Sequence, residues 1–518
     1  KRRAHAHLAS QRLDGAACAY KWVVSDSVTV DNGMGIKLMV AALRLTIDQL
    51  GQQLLESYSQ YTPPAPGIWG ELHRTYQLAE RNGLHTRVLA EDEDAVNPFA
   101  TVQHGYLRVA LLALTMPNHL MPGQASLIYG YLEKCTVGCR MLTKKVTAAE
   151  TGDIVIDLAG ERPPAVATGY ARFRPIDGRF LDISKLQEKL DDISASVNND
   201  RGLPLTIAER LRRDLLTRLR AAWQGRAERS NQRESDMSST LSLCIGLDAC
   251  HHFLAGEEDF TPEQAEIRDH RPQEAGGGLE LIPSKDTWEL DTPASTHQFG
   301  ANKTRLSQFS TQEVDVWDAI HDTEIQARDK REAAMANFRV EPWLCINQSA
   351  GGMALRRLPE TLSRTRVGAL VAIPTDAQHT HWKVGALRWL QDNSCNTTTS
   401  TDTHFDIGVM IITDTAVPVA IRAIGGAGTG GEYFRSLLIE NSESEKESLA
   451  EKKEMSLLVP ASIYDIGTQL VLNRQTTLEY VRLTRLIETT SSFSMFGFKH
   501  IEVPPGEQAK ISAIRQQQ

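Results

Sequence analysis

Val367-Gly-Ala-Leu-Val-Ala-Ile373, His381-Trp-Lys-Val-Gly-Ala-Leu-Arg-Trp-Leu390 and Phe405-Asp-Ile-Gly-Val409 succeed one another in the second half of a chain of 518 residues. Each is a short apolar run rich in β-branched and aromatic residues and bounded by turn formers, the pattern of strands. Working backward, Thr240-Leu-Ser-Leu-Cys-Ile245 and Trp343-Leu-Cys-Ile346 read the same way, as do Phe405 to Ile412 and Val417 to Ile424 going forward. Together they predict an antiparallel barrel. Further strands are expected at Leu457 to Val459, Gln469 to Leu472, Leu478 to Ile487 and Ser494 to His500. The stretch from about Glu257 to Asn337, rich in Glu, Asp, Pro, Gly and Gln, interrupts the series and reads as an insertion. Glu440 to Glu454, almost wholly Ser, Glu and Lys, reads as a solvated loop or short surface helix.

The front of the chain has a different period. Apolar residues recur at helical spacing from Gly35 to Ser59 and stop at Thr62-Pro-Pro-Ala-Pro-Gly67. Helices are predicted again from Trp69 to Arg81, Tyr106 to Met116, Gln124 to Cys135 and Leu186 to Ile193, with short strands at Ile154 to Leu158 and Tyr170 to Phe173. Thr206-Ile-Ala-Glu209 is a capping-box pattern opening a helix that carries Leu211, Leu215, Leu216, Leu219 and Trp223 to Gly225. The class is therefore α+β: a mainly helical N-terminal module over 1–225, an antiparallel barrel over 226–425 interrupted at about 257–337, and a C-terminal β-rich extension over 426–518.

Net charge is −9 and no run approaches the roughly 20 apolar residues a bilayer span needs, so neither a nucleic acid polymer nor a membrane span is expected. The seven Cys are scattered rather than framed as a disulfide scaffold, which points to a reducing, cytoplasmic setting. Cys135-Thr-Val-Gly-Cys139 and Cys250-His251-His252 are incomplete as metal sets, and no metal is assigned. There is no nucleophile elbow and no Walker loop. Gly425-Gly-Ala-Gly-Thr-Gly-Gly431 follows strands without a helix after it and reads as a hairpin loop. Catalysis is not expected.

Two motifs stand out. Arg229-Ser-Asn-Gln-Arg233 is an RxxxR before a strand, and Asn347-Gln-Ser-Ala-Gly-Gly352 is an [D/N]xSxxG after one. With the three runs quoted first, they resemble the PilZ domain, a six-stranded barrel that serves as a bacterial receptor for the second messenger cyclic di-GMP. The resemblance implies a nucleotide-binding site in which Arg229 and Arg233 face Asn347, Ser349 and Gly352, with Arg226 and Arg388 as further candidates. The chemistry is sensible: guanidinium offers a fork for phosphate and a plane for a guanine, Asn and Ser offer hydrogen bonds, and Gly permits close backbone approach. From Arg201 to Arg233 nine Arg stand against three acids, which raises the local potential. Arg226 with Arg229 and Arg328 with Arg331 offer RxxR spacing instead, and Asn, Ser and Gly are also ordinary turn residues.

Arg233 and Asn347 lie 114 positions apart, wider than the motifs stand in typical members, and the insertion absorbs the difference. Closing a longer loop costs only about 0.6 kcal/mol per doubling of its length. The resemblance thus implies a cytoplasmic signalling receptor with no cofactor beyond its ligand, coupling cyclic di-GMP to a change in domain arrangement or in the binding of a protein partner. The rival is a nucleotide-independent scaffold or adaptor for pilus or flagellar machinery.

Overall fold

The computed structural model describes residues 2–27, 33–88, 101–136, 138–143, 153–167, 176–199, 215–216, 218–220, 222–223, 234–235, 239–258, 260–262, 338–359, 361, 365–376, 378–393, 404–424, 432–440, 455–474 and 477–504. Five helices open the chain: α1 (Arg2–Ser27), α2 (Gly33–Ser59), α3 (Ile68–Arg81), α4 (Val102–Leu114) and α5 (Gln124–Cys135). Helix α3 illustrates why they form. Its buried positions Ile68, Trp69, Leu72, His73, Tyr76 and Ala79 fall three or four apart on one face, and the Pro-rich loop before Gly67 and the Asn82-Gly83 step after Arg81 bound it. Thr101 caps α4 by accepting from the His104 amide at 3.1 Å. Helix α1, whose apolar residues show little helical segregation, is absent from the sequence expectation. It is held by packing on α2 and by the Lys21–Glu71 ion pair at 2.8 Å.

The N-terminal module is less purely helical than its sequence predicts. Strands β1 (Arg140–Leu142), β2 (Asp153–Asp157), β3 (Ala165–Ala167) and β4 (Gly178–Asp182) form a sheet in the order β1-β4-β2-β3, followed by α6 (Ser184–Asn199). Ile154, Ile156, Leu181 and Leu186 join the helices in one core with Leu54, Leu72 and Leu107. Trp223, fully buried, joins the same core and donates to the Leu111 carbonyl at 3.2 Å. The strand expected at 170–173 and most of the helix expected over 204–225 lie outside the described residues.

The first barrel is built from β5 (Glu234–Ser235), β6 (Thr240–Ile245), β7 (Glu341–Ser349), β8 (Gly352–Arg357), β9 (Leu370–Pro374), β10 (Trp382–Asp392) and β11 (Phe405–Thr413). Pairing runs β7-β6-β9-β10-β11-β8 and returns to β7, a ring of six strands with β5 added to β7. Its interior is Trp343, Cys345, Met353, Leu355, Val371, Leu387, Leu390, Ile407 and Val409. After β6, helix α7 (Leu247–Leu254) touches β6 and β9 on one side and the next barrel on the other. The compact body is left after Pro262 and rejoined at Arg339, with Glu263–Phe338 a separate unit whose residues 263–337 lie outside those described.

The second barrel is closed: β12 (Ala416–Ala423), β13 (Phe434–Ile439), β14 (Ser456–Pro460), β17 (Phe493–His500), β16 (Thr477–Thr489) and β15 (Gln469–Arg474), in that order around the ring. The sequence places the strand near 417–424 in the first barrel. It belongs to the second, because its two edges are taken by β13 and β15, so the division falls between Thr413 and Ala416 rather than at 425. The loop 440–454 lies outside the described residues beyond Glu440. No described helix is long and apolar enough to cross a membrane.

Candidate functional site

Strand β7 carries Asn347 and Ser349, and a β-bulge decides which way they face. Trp343 and Cys345 are core residues opposite Arg357 and Leu355, so simple alternation would send 347 and 349 inward as well. The register shifts between Cys345 and Asn347, leaving Ile346 as the extra residue. Thereafter Gln348 pairs with the core residue Met353, while Asn347 pairs with Ala354 and Ser349 with Gly352. The parity is reversed. Asn347 and Ser349 thus share the outer face of the barrel with Gly352 and Ala354.

Strand β10 repeats the device. Leu387 opposes Val409 inside the barrel, the register shifts past Arg388, and Trp389 then opposes Gly408 on the outside. Because Gly408 pairs with Ala354, one outer row runs Trp389, Gly408, Ala354, Asn347 and Ser235 across five strands. The indole lies on Gly408: a Cβ there would meet Trp389 Nε1 at 1.8 Å. Met410, 41% exposed, stands beside Gly352 in the next row. The result is a shallow strip of Gly and Ala backbone between a tryptophan and the Asn347–Ser349 pair. The sequence reading missed Trp389 and Met410. The signal was in Leu387-Arg-Trp-Leu390, where core leucines three apart cannot fit strict alternation without a bulge.

Gly352 opens β8, directly after the two-residue turn that follows Ser349. A Cβ on it would sit 2.3 Å from the Val409 carbonyl oxygen, so the close approach it allows is to strand β11. Ser349 Oγ donates to the Gly352 carbonyl at 3.1 Å, closing the hairpin. Arg388, a further candidate from the sequence, is taken by another partner. It forms a two-pronged ion pair with Glu488 on β16 of the second barrel, Nη2 to Oε2 at 2.9 Å and Nη1 to Oε1, with both side chains mostly buried.

Arg226, Arg229 and Arg233 lie outside the described residues. The chain immediately after them does not: β5 pairs antiparallel with β7, Glu234 opposite Gln348 and Ser235 opposite Asn347. Strand β5, which follows Arg233 in sequence, thus lies beside β7 although Ser235 and Asn347 are 112 positions apart.

One outward position further along β10, Gln391 pairs with Asp406, itself opposite Arg356. Arg356 donates to both Asp406 oxygens at 2.8 and 3.0 Å, and His404 Nε2 stands 3.4 Å from Asp406, which gives the strip a neutralised border. Gln391 also lines a concavity of about 580 Å³ with Pro63, Pro66, Trp69, Met116, His119 and Glu161 of the helical module. The module is tied there: the Asp392 amide donates to the Tyr61 carbonyl at 2.8 Å. The outer strip of the barrel thus adjoins the seam with the N-terminal module.

The Cys and His groups singled out as metal candidates include buried members. Burial raises the Cys139 thiol to about 12, and Cys250 Sγ lies 4.0 Å from Cys244 Sγ in a fully buried site that also raises its pKa. Burial holds His251 down at about 3, with Arg435 adding to the effect and a hydrogen bond to the Val419 backbone opposing it. Among the described residues, no three His, Cys, Asp or Glu come together as a metal set.

Comparison with known proteins also divides the chain in three, with the first boundary between 145 and 154, where β2 begins. Residues 1–145 match the family described as "Cyclic-di-GMP receptor FimW, N-terminal domain", 154–418 "Cyclic-di-GMP receptor FimW, middle PilZ domain" and 419–501 "FimW C-terminal beta-barrel domain". A curated relative, "Cyclic-di-GMP receptor FimW" of Pseudomonas aeruginosa, is 22% identical over 507 residues, covering 96% of this chain and 78% of the relative. No solved structure matches.

Proposed function

This chain belongs to the FimW family of PilZ-containing proteins, and from that premise we propose that it is a cyclic di-GMP receptor and not an enzyme. The ligand lies on the outer strip of the first barrel. Asn347 and Ser349 hydrogen-bond a guanine edge or a phosphate, Trp389 offers a flat apolar face, and Arg229 and Arg233 close over the ligand from the segment before β5. The observation that carries this reading is the pairing of β5 with β7, which delivers the chain from Arg233 to the strand bearing Asn347 and Ser349. Two phosphodiester charges then meet two guanidiniums against a surface that is otherwise small and uncharged.

Coupling is a matter of position. Contacts from the Arg segment to the ligand tie the chain between the helical module and the barrel to the strip, and the strip adjoins the seam where Gln391 and Asp392 meet that module. A ligand bridging barrel and linker therefore favours one arrangement of module and barrel, or one partner surface, over another. Titration calorimetry of the whole chain tests the reading. Saturable binding tighter than about 10 μM, weakened at least tenfold by Arg229→Ala with Arg233→Ala, is expected. No saturable binding, or an affinity indifferent to both arginines, overturns it and leaves a nucleotide-independent adaptor.

A further inference from the structure

Strands β16 and β17 of the second barrel place Arg482 directly opposite Lys499, both exposed on its outer face. Like charges in directly opposed positions destabilise a sheet. Neither cation has an ion pair or side-chain hydrogen bond among the described residues, in a protein whose net charge is −9. The acids nearest along these strands are engaged elsewhere, Glu479 by Arg474 and His500 and Glu488 by Arg388. The pair therefore sets two cations of like sign side by side on this face, with the half-buried Asp465 in the adjoining turn as the acid next to them in the chain's β14–β15 connection.

An apolar turn abuts it. Between β14 and β15 the chain exposes Ile463 (38%) and Ile466 (55%). Gly467, next to Ile466, donates its amide to the Leu483 carbonyl at 2.8 Å, and a Cβ on it would lie 3.9 Å from the Arg482 guanidinium. Exposed isoleucines at a turn beside unpaired cations are what an anionic bilayer surface accepts. The apolar tips enter the headgroup boundary and the cations meet lipid phosphates. An acidic polypeptide would satisfy the cations and leave the isoleucines in water. We infer that this end of the second barrel, Arg482 and Lys499 with the Ile463–Ile466 turn, is a peripheral docking surface for anionic lipid. The inference does not depend on nucleotide binding.

Co-sedimentation of the full chain with vesicles of phosphatidylethanolamine containing about one third phosphatidylglycerol tests it, with phosphatidylcholine vesicles as the neutral comparison. Binding to the anionic vesicles alone, weakened by salt, is expected. Neutralising two cations in Arg482→Gln with Lys499→Gln lowers the partition coefficient roughly 30-fold, the equivalent of about 2 kcal/mol. Ile466→Ser weakens binding at every salt concentration, which a purely electrostatic contact would not. Neither variant lowers the melting temperature, since the positions are exposed and the double variant relieves the opposed like charges. No binding to anionic vesicles, binding unaffected by the double variant, or binding through the same pair to soluble polyglutamate but not to vesicles overturns the inference; the last result identifies an acidic protein partner.

Discussion

Replacing Gly352 by Ala separates two roles that its motif leaves merged. If the glycine exists to let β8 pair with β11, the added methyl meets the Val409 carbonyl oxygen at 2.3 Å and the Met410 Cα at 3.3 Å. Both are backbone atoms, so no side chain can turn away, and the strands must part by about 1 Å to reach ordinary contact. Overpacking of this kind costs about 1–3 kcal/mol, and weakening one ladder hydrogen bond adds about 1 kcal/mol, giving about 2–4 kcal/mol. With a urea slope of about 2 kcal/mol/M, the barrel's unfolding midpoint falls by about 1–2 M. Because three packed units need not unfold in one step, hydrogen exchange supplies the local readout. Peptides spanning 352–357 and 405–413 should lose protection, while those of the second barrel should not. A variant with an unchanged midpoint and unchanged exchange, but reduced affinity for cyclic di-GMP, would refute this reasoning and return Gly352 to the ligand.

Further predictions concern the second barrel's contacts. Arg388→Ala and Glu488→Ala should be non-additive, with a coupling energy of about 1–2 kcal/mol for a mostly buried two-pronged pair, measured by a double-mutant cycle in urea. Additive losses would mean that the pair does not join the barrels. His251, held at about 3 by burial, is stored neutral in the folded protein against an ordinary value near 6.5. Its contribution is complete above pH 6.5 and is lost as pH falls towards 3, at about 1.4 kcal/mol per pH unit, or roughly 2 kcal/mol by pH 5. His251→Phe should remove that part of the pH dependence, leaving the smaller slopes of His73 and His119, which burial also lowers. An unchanged slope would show that the histidine is hydrated in the native state.

Local pattern reaches a long way into this protein. Thr240–Ile245 and Gln124–Cys135 have the bounds their sequences predict, because an alternating apolar run or an apolar stripe depends on near neighbours alone. An antiparallel β region with a long interruption was legible from the order of strand-like runs around an unpatterned stretch, but β8 was missing from that series and the strand at 417–424 was set in the wrong barrel. Among the elements that escaped were α1, whose apolar residues are poorly segregated, the eight-residue α7, and the short strands β1, β4, β5, β8 and β13. Gly352-Met-Ala-Leu-Arg-Arg357 is a strand because β7 and β11 flank it, not because its own residues demand it.

The candidate site divides along the same line. The resemblance to the PilZ domain pointed to Asn347, Ser349 and the two arginines, and the ladder of β5 on β7 sets the strand that follows Arg233 in sequence beside Asn347. Sequence alone could not tell that Asn347 and Ser349 face outward, since a bulge is a mismatch between two strands and is invisible in either one. Nor could it find Trp389 on Gly408, or assign Arg388 to Glu488 across 100 positions. Amino-acid order determined which chemistry the chain carries; the folded ladders, by fixing parity and partner, decided where each group points and which charges remain free to meet something else.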